Sequence, residues 1–89
     1  MATWIVKADR RQADYDQVLN RLRELEQSVQ GLTVIAEPPE HFHGADDDGG
    51  FRDFAVMARL THQRNEALEI VAEELLLEFG WLIDLAACE

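Results

Sequence analysis

The chain is poor in several of the things that usually announce a function. It has one cysteine, Cys88, in 89 residues, so no internal disulfide holds it, and a reducing cytoplasm is the expected compartment. Its apolar stretches fall far short of the ~20 residues that cross a bilayer. Near the N-terminus, Lys7, Arg10 and Arg11 follow the apolar run and Asp9 interrupts it, which is the reverse of a secretory leader. Both prolines stand together at Pro38 and Pro39, and three of the five glycines lie within residues 44–50, so chain-breaking residues concentrate in one place. Above all the chain is short of bases. Eight Lys and Arg face 18 Asp and Glu, a net charge of −10, and such a surface repels phosphate backbones and anionic lipid while attracting basic proteins.

The imbalance is uneven. Residues 1–45 hold seven acids and five bases, for −2, whereas residues 46–89 hold eleven acids and three bases, for −8. A chain of this length supports one core, so the acidity belongs to one part of one domain, 1–89.

What is present is a clear alternation of periods. "TWIVKA" sets Trp4, Val6 and Ala8 against Ile5 and Lys7, the two-residue period of a half-buried strand. In "DYDQVLNRLRELEQSVQG", Tyr15, Val18, Leu19, Leu22, Leu25 and Val29 recur at three and four and predict a helix. Asp14 with Gln17 suits its start as a capping box, and Gly31 suits its end. "LTVIA" is a short β-branched strand that the two prolines stop, and "FRDFAVMARLTH" alternates as a third strand. Thr61 or Asn65 is the expected cap of a second helix carrying Ala67, Leu68, Val71, Ala72, Leu75 and Phe79 and ending at Gly80. "WLIDLAAC" alternates as a fourth strand.

The order is strand, helix, strand, strand, helix, strand. With right-handed crossovers this interleaves into a ferredoxin-like split βαβ domain of α+β class: a four-stranded antiparallel sheet with both helices on one face and the first and third strands central. Strict alternation puts Trp4, Val6, Leu32, Val34, Phe54, Val56, Ala58, Ile83 and Leu85 toward the helices. The opposite face is expected to carry Ile5, Lys7, Thr33, Ile35, Ala55, Met57, Arg59, Leu82, Asp84 and Ala86. It has no aromatic platform on which bases could stack, which argues against RNA recognition. Ile5, Ile35, Met57, Arg59 and Leu82 form instead a mixed patch suited to a second copy or a partner, with Lys7 and Arg59 placed to pair with Asp84 or Asp53 across strands.

Two further features bear on function. The second helix carries Glu66, Glu69, Glu73, Glu74 and Glu78 with Arg64 the lone base beside it, and Ile70, Leu76 and Leu77 exceed what one buried stripe needs. The segment "PPEHFHGADDDGG" sits in a connection, residues 37–50, much longer than the two to five residues a hairpin requires, and reads as a flexible acidic loop. His41 and His43 with Asp46 or Asp48 are weak candidate metal ligands; a calcium-loop register beginning at Asp46 fails, because Gly50 falls where a ligand is wanted and Met57 where the bidentate glutamate belongs. No nucleophile has a base near it in sequence: Cys88 and Ser28 stand apart from the histidines, and His43 with Asp48 is the nearest approach to an acid–base pair.

These observations favour a non-enzymatic, cofactor-free protein in which Asp46, Asp47, Asp48, Glu66, Glu69, Glu73, Glu74 and Glu78 form an acidic surface for a basic, nucleic-acid-handling protein partner. Direct contact with nucleic acid or membrane is not expected, and the chain itself should be a monomer or weak homodimer. Immunity proteins, antitoxins and phage-encoded inhibitors of host defence, such as anti-CRISPR proteins, fit that physical description. Two alternatives are a ferredoxin-like regulatory or small-molecule-binding domain that dimerises through its open sheet face, and a small dimeric ferredoxin-like enzyme with the histidine loop over a pocket.

Overall fold

The N-terminal alternation forms strand β1, Ala2–Asp9, and the stripe that follows forms helix α1, Tyr15–Ser28. A computed structural model describes residues 1–39 and 54–88, which continue with β2, Thr33–Ala36, β3, Phe54–His62, α2, Asn65–Phe79, a 3₁₀ turn, Gly80–Leu82, and β4, Ile83–Cys88. The strands make one sheet in the order β2-β3-β1-β4, and every neighbouring pair is antiparallel. The fold is α+β, an open four-stranded antiparallel sheet with two helices.

One apolar cluster joins Val18, Leu22 and Leu25 of α1 and Leu68, Val71, Leu75 and Phe79 of α2 to Val6, Ala8, Val34, Ala58, Leu60 and Ile83 of the sheet. Both helices therefore cover the same sheet face. The half-buried ring of Trp4 is tied to the start of α2, its Nε1–H donating to Asn65 Oδ1 at 2.9 Å.

The register of β3 departs from simple alternation. Val6 faces Ala58 but Lys7 faces Val56, so Met57 is an extra residue with no partner on β1. In such a β-bulge two consecutive side chains lean to one side of the sheet. Met57 and Ala58 are accordingly both buried in the core. Before the bulge the parity is inverted: Ala55 pairs with Ala8 and packs against the core, while Val56, opposite Lys7, and Phe54, opposite Asp9, belong to the other face. The expected assignments of Phe54, Ala55, Val56 and Met57 are thus reversed. Leu82 also leaves the predicted open face, because it and Trp81 belong to the 3₁₀ turn and Leu82 packs against the core.

Caps follow the sequence at one helix and not at the other. Asp14 Oδ1 accepts from the N–H groups of Asp16 at 3.0 Å and Gln17 at 3.4 Å, so it is the N-cap of α1. That helix ends at Ser28, three residues before the expected glycine, with extended Val29 at its C-cap; Gly31, at φ +89°, instead turns the chain into β2. A Cβ there would also meet His62 Nε2 at 3.2 Å. At α2 the cap position is Arg64, with no side-chain bond to the helix. Thr61 stays in β3, and Asn65 is already helical, its Nδ2 donating to Glu69 Oε2 at 2.8 Å.

Candidate functional site

Helix α2 buries Leu68, Val71, Ala72, Leu75 and Phe79. At 3.6 residues per turn the opposite side is the series Glu66, Ile70, Glu73 and Leu77, spaced by four, three and four. Ile70 is 60% exposed and Leu77 86%. The result is a ridge on which two protruding apolar side chains alternate with two carboxylates. Glu69 lies beside this ridge, on the flank turned away from α1.

Glu74 and Glu78 lie on the other flank, against α1. Arg21 of α1 reaches them with Nε to Glu78 Oε1 at 2.8 Å and Nη2 to Glu74 Oε1 at 3.5 Å, and it also holds Glu24 at 3.2 Å. The pKa of Arg21 is raised, first by the hydrogen bond to Glu24 and then by the charge of Glu78 and its hydrogen bond. So the five glutamates are not equivalent: Glu74 and Glu78 share the charge of Arg21 with Glu24, while among the described residues neither Glu66 nor Glu73 has an ion pair. Asp46, Asp47, Asp48, His41 and His43 lie outside the described residues.

A second ionic group is built at the outer edge of the sheet. Glu26 Oε2 accepts the N–H of Val34 at 2.8 Å, and Arg23 Nη1 donates to the Val34 carbonyl at 3.0 Å and to Glu26 Oε1 at 3.1 Å. Two side chains one helical turn apart thus bind both backbone groups of one residue of β2. The Val34 N–H is the main cause, with Arg23 adding to it, that holds the Glu26 carboxyl below its usual range.

The open sheet face is not a continuous apolar patch. Its rows run Ala86, Ile5, Arg59, Ile35, then Asp84, Lys7, Val56, and on the other side Cys88, Thr3, Thr61, Thr33. Ile35 is 54% exposed, but Arg59 separates it from Ile5 and lies 3.8 Å from Glu37. Of the expected interface residues, Ile5, Ile35 and Arg59 share this face; Met57 and Leu82 do not.

Of the remaining chemically suggestive groups, His62 and Ser28 are engaged structurally. His62 Nδ1 accepts from the Arg64 N–H and its Nε2 faces the Gln30 carbonyl, each at 2.9 Å, which makes Nε2 the protonated nitrogen and staples two turns together. Ser28 Oγ donates to Glu24 O at 2.9 Å within its own helix. Cys88 is exposed on β4. Asp9 is fully buried; its Oδ1 accepts the Arg11 N–H at 2.9 Å, its carbonyl accepts from Gln12 and Ala13, and it shapes the turn into α1. Among the described residues no group of three or more His, Cys, Asp or Glu side chains is gathered to hold a metal ion, and no helix is long and apolar enough to cross a membrane.

Sequence spacing exposes the Glu66, Ile70, Glu73, Leu77 ridge, but neither the Arg21 bridge nor the Arg23 and Glu26 clamp. Arg21 and Glu78 are 57 residues apart, and nothing local says that α1 lies beside α2 or over the edge of β2. Compared with protein-family models, with curated proteins and with solved structures, the chain matches none of them.

Proposed function

We propose that the chain is a non-enzymatic protein-binding module of ferredoxin-like topology that docks through its acidic surface on a basic, nucleic-acid-handling protein and inhibits or regulates it. Immunity proteins, antitoxins and phage-encoded inhibitors act by this kind of docking. The topology rests on the element order together with the strand order β2-β3-β1-β4. The observation that carries the binding function is the outward ridge of α2. Ile70 and Leu77 are apolar groups exposed on one outward ridge, and among the described residues Glu66 and Glu73 beside them have no ion pair. Apolar contacts of this size supply affinity, and the surrounding carboxylates select a basic counterpart and speed its approach.

The test is a pull-down from the source cell at low salt with identification of the bound protein. The expected partner is a basic nucleic-acid-handling protein that is released at high salt and lost with Glu66→Lys/Glu73→Lys. A partner that is acidic, or is retained equally by that variant and at high salt, sinks the reading.

A further inference from the structure

The two outer strands of this sheet are treated differently. On β2, Val34 turns its N–H and C=O away from β3, and Glu26 and Arg23 occupy both. Such blocking is how sheets avoid pairing with other chains. The same residue also sets the phase of the whole ladder, because in an antiparallel pair outward-facing and inward-facing residues alternate. Val34 faces Leu60 without bonding to it, so Leu60 bonds to its other neighbour, Trp4. Trp4 then has no backbone bond left for Ala87, its partner on β4. By the same parity Val6 bonds to Ala58, leaving Leu85 free. The backbone N–H and C=O groups of Leu85 and Ala87 therefore point out of the sheet, whereas the Ile83 N–H is taken up by the Gly80 carbonyl.

Nothing among the described residues blocks this edge as Arg23 and Glu26 block the other. The strand has no proline or lysine, and its one charge is Asp84; Ala86, Ala87 and Cys88 are small and exposed. Apart from Lys7, which faces Asp84 from β1, the charges near it are negative. Glu69 and Glu73 stand on the side of α2 turned from α1, which is the β4 side, since α1 clamps β2 at the far edge. A second copy would bring the same charges, another −10, to this edge, whereas a strand bearing Lys or Arg would meet Asp84, Glu69 and Glu73 with opposite sign.

We infer that β4 is an augmentation edge, and that an extended, Lys- or Arg-bearing strand of a partner protein adds to the sheet beside Ile83–Cys88 with its main chain bonded to Leu85 and Ala87. Main-chain bonding supplies the geometry and charge the preference. The inference rests on the acidic-docking reading and says how the basic partner is held.

The probe is a short peptide of alternating valine and lysine, titrated calorimetrically with parallel amide hydrogen exchange. The peptide binds, slows exchange at Leu85 and Ala87, and is weakened about tenfold or more by Ala87→Pro, which removes an outward donor at an edge that tolerates proline. The same peptide with valines replaced by prolines keeps its charge but cannot pair, and binds correspondingly less. Equal binding of both peptides, or binding without protection at Leu85 and Ala87, overturns the edge while leaving the acidic reading standing. Binding of neither overturns the edge, and the acidic reading is then decided by the pull-down alone. Concentration-dependent protection of these amides without peptide assigns the edge to a second copy instead.

Discussion

Met57 is in the core because a chain with one extra residue opposite Val6 and Lys7 must break its alternation, and a thioether fills the resulting gap well. The residue string "FAVMAR" alternates evenly, so nothing in it marks the bulge; only the pairing partner does. The consequence is measurable by urea denaturation. Met57→Ala costs about 2–5 kcal/mol as a buried large-to-small change, whereas Val56→Ala, on the open face, costs about 1 kcal/mol or less. Similar losses at the two sites would contradict the bulge. Glu26 bears on acid stability. Its carboxyl is held below the usual range, chiefly by the Val34 N–H, so its contribution is complete above the unfolded glutamate value and disappears as pH falls through the lower folded value. Denaturation midpoints at neutral and acid pH should therefore fall less with acid in Glu26→Gln than in the parent. An equal loss in both proteins would show that Glu26 has no part in it.

At the scale of elements, α1 both packs the core and guards an edge. Its buried residues Val18, Leu22 and Leu25 were legible as a stripe, and Asp14 as its cap. Its outer residues Arg23 and Glu26 were legible only as an ordinary helical pair three apart. Removing them by Arg23→Ala/Glu26→Ala leaves Val34 with two unpaired backbone groups at an exposed strand. The variant should stay folded by circular dichroism yet show concentration-dependent association by sedimentation, absent in the parent. If it remains as monodisperse as the parent, the clamp is not what protects β2. The second helix divides similarly. Its apolar stripe was readable, but the partition of its glutamates between internal pairing with Arg21 and outward display depends on which flank faces α1.

For the whole molecule, 18 acids against 8 bases produce a self-repulsion that internal pairs such as Arg21 with Glu74 and Glu78 offset only in part. Screening relieves repulsion among many exposed charges more than it weakens these few bridges. We expect Tm by differential scanning calorimetry to rise from low salt to about the physiological range, where the Debye length is about 8 Å; a falling Tm would mean that the bridges dominate. The sequence by itself determined the element order, the two helical stripes, the net charge and the concentration of acid in the second half, because those follow from period and composition, which are local or additive. Tertiary structure alone decided that Met57 is core, that Arg21 pairs with two of the five glutamates, and that β2 is clamped while nothing among the described residues clamps β4. Each of these depends on register or on which elements lie side by side, and residues far apart in the chain acquire that relation only when the sheet is assembled.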